Sequence, residues 1–265
     1  MSIIRPTPQQ MTRRLIVLGT AIFSIVIAQA QILLGWGQTP AEFAADSDAT
    51  LRVAGYAFSI WGVIYLGLLI YAVRQALPQT GESDLIHRLG WPSAAAFMGI
   101  GLWIVASAAD FELGTIVLIF GSLLVLLVPL LLNGREIRSL GRGERDRWMT
   151  AWPLTLLAGW LTIASPVNLL TVATGNGQLP TALPPLGWAL VAVLAVVIVA
   201  LAVTWRLRMM AYAIPIAWCL LGVFVAEQER NPTLGFSALA AALIVLGGAA
   251  VIVFQLRPGV ERRAA

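Results

Sequence analysis

The sequence contains no lysine, one histidine (His87) and one cysteine (Cys219), and only 11% of its 265 residues carry charge. One cysteine excludes a disulfide within the chain. One cysteine and one histidine are too few for a structural zinc site or a bis-histidine haem clamp. Cys219 sits inside an apolar segment and reads as a small buried hydrophobe. His87 falls between apolar runs and reads as an interfacial loop residue. The net charge of +4 rests on seventeen arginines and thirteen acids. No polar stretch is long enough to fold as a basic domain, so nucleic acid is not an expected partner. Acid–base pairs and activated nucleophiles are missing as well, so catalysis is not expected. No ionisable residue lies clearly at the middle of an apolar run, which argues against a proton relay or an ion-coupled carrier.

What is abundant is apolar surface. The chain is 59% hydrophobic with a mean hydropathy of +0.85, whereas a soluble domain is about 25% charged. About 20 apolar residues cover a hydrocarbon core of about 30 Å. Eight runs approach or exceed that length, at about 15–36, 56–77, 92–109, 113–133, 152–174, 186–205, 209–226 and 233–256. They are separated by polar or Pro/Gly-rich breaks such as "GQTPAEFAADSDAT" and "GNGQLPTALPP". The expected class is all-α, a polytopic helical membrane protein with eight spans.

Orientation follows from arginine, which is enriched in cytoplasmic segments. Fifteen of the seventeen arginines fall at the two ends and in alternate connections, leaving only Arg52 and Arg230 on the opposite side. Both termini are therefore expected in the cytoplasm. The connection from Arg135 to Arg147, with five arginines, is expected to meet anionic lipid headgroups. The first run starts with Arg13 and Arg14 and contains "AQA", features shared with a secretory signal. It continues to Trp36, beyond the 7–15 residues of a signal core, and is expected to be retained.

Two stretches carry candidate binding residues. In "GYAFSIWGVIYLGLLIYAV", Phe58, Trp61 and Tyr65 recur at three and four residues, the spacing of one helix face. Such a ladder suits packing as well as a binding wall. In "WPLTLLAGWLTIASPVNLLTVATGNG", Pro166 cannot donate to the carbonyl of Thr162. Asn168 lies deep in apolar sequence, where an unpaired amide is costly, so it must face a helix, a cavity or the freed backbone. Gln29 and Gln31 of the first run point to different faces.

"YAFSIWGVIYLGLL", followed about a hundred residues later by "GWLTIASPVNLL", resembles the tryptophan-rich sensory protein family, which includes the mitochondrial translocator protein. The ten tryptophans agree with the name. The resemblance covers the first five runs. It implies a five-helix membrane bundle with a cavity for porphyrins, other tetrapyrroles or sterols. By matching positions it implies Phe58, Trp61, Tyr65, Trp103, Trp160 and Asn168 as ligand contacts. Trp61 and Trp160 would stack on the ligand, with Tyr65 and Asn168 orienting it by hydrogen bonds. Where the family has an asparagine three residues before the third-helix tryptophan, this chain has Ile100.

The resulting expectation is a translocator-like bundle over residues 14–175 followed by three further helices over 186–257. Its function would be that of a sensory or regulatory protein of the bacterial cytoplasmic membrane. It would hold no covalent cofactor, and its partner would be a flat hydrophobic small molecule, a non-covalent tetrapyrrole or sterol-like lipid. A homodimer is left open. A small-solute or lipid transporter, or a structural subunit of a larger membrane complex, are the alternatives. No internal match between the two halves favours the transporter.

Overall fold

The computed structural model describes residues 7–45, 51–77 and 83–255. All of the regular structure among them is helical. Helix α1 (Pro8–Leu34) opens on a reciprocal cap. The Thr7 hydroxyl accepts the Gln10 N–H at 3.3 Å, and Gln10 Oε1 accepts the Thr7 N–H at 2.8 Å, with Pro8 at the first helical position. It stops at Gly35, whose φ of 63° satisfies a left-handed cap. A short helix, α2 (Pro40–Ala45), follows, then a 3-10 turn (Gly55–Ser59) leading into α3 (Ile60–Ala76). Helices α4 (Asp84–Ala108), α5 (Glu112–Leu132) and the short α6 (Gly134–Ser139) come next. A π-helical turn (Arg147–Ala151) leads into α7 (Trp152–Gly175), which runs unbroken through Pro166. Helices α8 (Pro185–Leu207), α9 (Met210–Glu227) and α10 (Pro232–Ala250) complete the set.

Among the described residues, eight helical segments are long and apolar enough to cross a membrane. The protein is an integral membrane protein of the all-α class, as the hydropathy pattern predicts. Two starts come early: α1 begins at Pro8 rather than near residue 15, and α4 differs likewise. Helix α4 begins at Asp84 rather than near residue 92, because the Ser83 hydroxyl accepts the Ile86 N–H at 3.2 Å and caps it. His87 therefore sits in the first turn of a helix and not in a loop.

Burial separates inner from outer helices. In its most apolar stretch α7 is 78% buried against 28% for α5, so α7 is the axis of the fold. It touches α3, α5, α8, α9 and α2. The outer faces of α1, α3 and α5 present Leu15, Ile22, Val63, Leu66, Val117 and Leu124, the surface a bilayer solvates. The late helices are not appended at a distance. Gly159 of α7 lies against the backbone of Tyr212 on α9, and Trp218 Nε1 of α9 donates to the Ala57 carbonyl at 2.9 Å. The Ala54 N–H reaches the Gly222 carbonyl at 3.0 Å.

At the arginine-rich end, buried Arg74 of α3 pairs with Asp146 at 2.6 Å and donates to the Thr150 hydroxyl at 2.7 Å. Gln75 donates to the Arg14 carbonyl at 2.8 Å, joining α1 to the same cluster. Tyr71 donates to Ser93 at 3.0 Å, because the serine proton is already given to the Gly90 carbonyl. These bonds fix α1, α3, α4 and α7 at one end and leave the other end, under α2, to the aromatic residues.

Candidate ligand cavity

Aromatic side chains from four elements meet beneath α2. The 3-10 turn supplies Phe58 and α3 supplies Trp61, while Trp103 comes from α4 and Trp160 from α7. Trp160 receives Phe58 and Trp61 edge-on, with ring centres 5.9 and 6.0 Å away. Phe43 of α2 stands edge-on to Trp103 at 5.8 Å. These are the geometries that aromatic quadrupoles favour. Together with Ile100, Leu161, Val167 and Cys219 the rings enclose a cavity of about 40 Å³. That is far below the roughly 300–1,000 Å³ of a ligand-filled pocket, so the walls stand nearly closed on one another.

The amide and hydroxyl groups of the wall each already make a hydrogen bond. Asn168 Oδ1 accepts the Trp103 Nε1–H at 2.9 Å, and Asn168 Nδ2 donates to the Thr115 hydroxyl at 3.0 Å. The Thr115 proton goes in turn to the Glu112 carbonyl at 2.6 Å. Thr171 donates to the Val167 carbonyl at 2.9 Å. Asn168 thus resolves the cost of burying its amide by locking the indole of Trp103, tying α7 to α4 and α5. Ile100 lines the cavity as an apolar wall.

Five of the six residues that the sequence singles out (Phe58, Trp61, Trp103, Trp160 and Asn168) line this one cavity. Tyr65 does not. It stacks behind Trp61 with ring centres 5.0 Å apart and faces a separate chamber. Among the wall residues that escape sequence reading, two stand out. Phe43 lies in α2, inside what reads as a polar break, although Thr39 and Glu42 carry the signature of a helix start. The Thr39 N–H donates to Glu42 Oε2 at 2.7 Å and the Glu42 N–H to Thr39 Oγ1 at 3.2 Å. Hydrogen bonds from Thr39, its backbone N–H first and then its hydroxyl, hold the Glu42 carboxyl below its usual range. A lowered pKa stabilises α2 at pH values above the ordinary carboxylate pKa, and this support is lost as pH falls through the lowered value. The second is Cys219, 2% exposed, through which α9 forms part of the wall.

A family model described as TSPO-like protein matches residues 13–252. The chain belongs to the TSPO-like family. No curated protein and no solved structure matches it. The family match runs past α7 and through α8, α9 and α10, which fits the hydrogen bonds between α9 and the backbone of Ala54 and Ala57 just before Phe58. TSPO-like proteins are membrane ligand-binding and regulatory proteins and are generally non-enzymatic. Among the described residues of this TSPO-like chain, no group of three or more His, Cys, Asp or Glu is placed to hold a metal.

Proposed function

We propose that the protein binds a flat, largely apolar ligand of the tetrapyrrole type between Phe58, Trp61, Trp103 and Trp160, and acts as a sensory or regulatory protein of the bacterial cytoplasmic membrane. The observation that carries this reading is five aromatic side chains, Phe43 among them, around one cavity whose amide and hydroxyl groups are already hydrogen-bonded. A ligand's polar groups would find little inside, so they would stay at the rim while its rings enter. This suits a macrocycle with peripheral carboxylates. Because the cavity is nearly closed, the ligand must displace a wall. Helix α2 is the wall of least cost, with six residues and two buried side chains, Phe43 and Ala44.

The direct test is quenching of tryptophan fluorescence by protoporphyrin IX in mild detergent. Wild type should quench saturably. Trp61→Phe and Trp160→Phe should each weaken binding by up to about tenfold, the equivalent of losing an aromatic contact of roughly 0.5–1.5 kcal/mol. Trp188→Phe should match wild type, since Trp188 lies outside the cavity and donates to the Pro180 carbonyl at 2.9 Å. Identical curves for all four proteins would overturn the reading.

Arginine supports a cytoplasmic position for both termini. Reporter fusions after Asp84, Asp110, Ser139 and Gly177 should report inside, outside, inside and outside in that order. Any break in the alternation overturns the orientation. Arg135, Arg138, Arg142 and Arg145 are exposed and are the residues we assign to anionic headgroups. Arg147 is not among them, for it is buried and donates to the Leu140 carbonyl at 3.2 Å.

A further inference from the structure

At the arginine-rich end, α3 and the chain leading into α7 part on their outer side. Gly67 still holds α3 close, since a β-carbon there would lie 3.3 Å from Pro153 Cβ of α7. Beyond that contact comes the π-helical turn, whose i→i+5 bonding departs from the α-helical path. The gap is crossed by the long side chain of Arg74, which reaches Asp146 at 2.6 Å and Thr150 at 2.7 Å. Over Arg74 lies a groove of about 500 Å³. Leu69, Val73 and Leu77 of α3 line it together with Met149 of the π-helical turn, and Arg145 stands at its rim. From Leu69 to Leu77 the groove follows α3 for about 12 Å, at 1.5 Å per residue.

Walls of this kind, open to the hydrocarbon, suit an acyl chain and not water, which needs two to four polar partners. Which lipid the groove keeps depends on its rim. Arg145 is exposed, and among the described residues no hydrogen bond or ion pair engages its guanidinium. The charge of Arg74, by contrast, is balanced by Asp146. Trp148 marks the depth. It is half-exposed, stacks on Trp152 with ring centres 5.3 Å apart, and donates its indole N–H to the Arg142 carbonyl at 2.7 Å. Indoles that are part apolar and part wet sit at headgroup level. That level puts Arg145 among the headgroups and the groove just beneath them. We propose that this groove holds one anionic phospholipid, with an acyl chain along Leu69, Val73 and Leu77 and its phosphate on Arg145. The proposal rests on the assignment of the exposed arginines to anionic headgroups and narrows it to a single bound molecule. It is independent of any ligand in the aromatic cavity.

Native mass spectrometry of the detergent-solubilised protein, with palmitoyl-oleoyl phosphatidylglycerol and the matching phosphatidylcholine added, tests this. The pair shares its chains and differs in charge. Wild type should bind a first phosphatidylglycerol about fivefold more tightly than a first phosphatidylcholine, the equivalent of about 1 kcal/mol for one arginine near an anionic surface. Arg145→Gln should bind the two alike. Val73→Trp, at an exposed position, should fill the groove and weaken both lipids. Arg135→Gln removes the same charge from the arginine-rich surface but outside the groove, and should lower the preference less than Arg145→Gln. Equal losses in the two arginine variants would overturn the bound lipid and leave the general attraction to anionic headgroups standing. Phosphatidylglycerol binding unchanged by Val73→Trp would seat the chain elsewhere and overturn the proposal too. The absence of any preference in wild type would overturn both the bound lipid and the headgroup assignment.

Discussion

Replacing Gly159 by valine should separate α7 from α9 and produce the largest loss of stability of any single change predicted for this protein. A β-carbon at residue 159 would overlap the carbonyl oxygen of Tyr212 and come within 2.8 Å of Pro215 Cγ. The obstacle is backbone and a proline ring, neither of which can turn aside as a flexible side chain would. In a bilayer, helix association rests on close van der Waals approach rather than on hydrophobic burial, so a lost approach is not recovered elsewhere. Overpacking a filled contact costs about 1–3 kcal/mol and occasionally more, and valine adds two methyls beyond that β-carbon. Thermal unfolding in mild detergent should show a clearly lower midpoint for Gly159→Val. Gly121→Ala is the matched control, since nothing lies within 4 Å of its would-be β-carbon. It should be neutral or slightly stabilising. A Gly159→Val protein as stable as Gly121→Ala would mean that α7 and α9 are not packed backbone to backbone.

The same contact shows where the sequence stops being legible. Length and hydropathy alone place eight spans, because a bilayer demands apolar runs of a set length. Nothing in that signal says which helices touch. Gly159 is one of twenty-four glycines, and only the facing backbone of Tyr212 gives it meaning. The membership of the wall was largely readable, as an aromatic spacing on one stretch and a tryptophan with an asparagine on another. The roles were less so. Phe58 belongs to a 3-10 turn, which advances about 120° per residue, and Trp61 to an α-helix, which advances about 100°. The ladder is therefore not one face of one regular helix, and Tyr65 ends behind Trp61 instead of beside it. Phe43 is not legible because six residues give too short an apolar pattern, although Thr39, Pro40 and Glu42 mark a helix start. Asn168 is legible as an amide that must be paired. Its partner, the indole of Trp103, came from a helix whose approach hydropathy does not encode.

Asn168→Leu should lower stability by about 1–3 kcal/mol, the usual cost of leaving a buried donor such as the Trp103 N–H unmatched. Two roles for Asn168 make different predictions about what else changes. If it contacted the ligand directly, its removal would add to the effect of changing Trp103. If it acts by holding the Trp103 ring, the two changes share one interaction and cannot add. The geometry favours the second, because Oδ1 and Nδ2 each already hold a neighbouring helix, through Trp103 and Thr115. The double-mutant cycle of Asn168→Leu and Trp103→Phe decides it. Phenylalanine carries no N–H, so the orphan donor left by Asn168→Leu disappears in the double variant. In stability the second substitution should then cost clearly less on the Asn168→Leu background than on wild type, with a coupling of about 0.6–1.7 kcal/mol as found for hydrogen bonds between membrane helices. In protoporphyrin affinity Asn168→Leu should be no worse than Trp103→Phe, and the double variant no worse than either. Strict additivity in affinity would return Asn168 to direct contact with the ligand. Strict additivity in stability would mean that the 2.9 Å bond between α4 and α7 holds nothing in place.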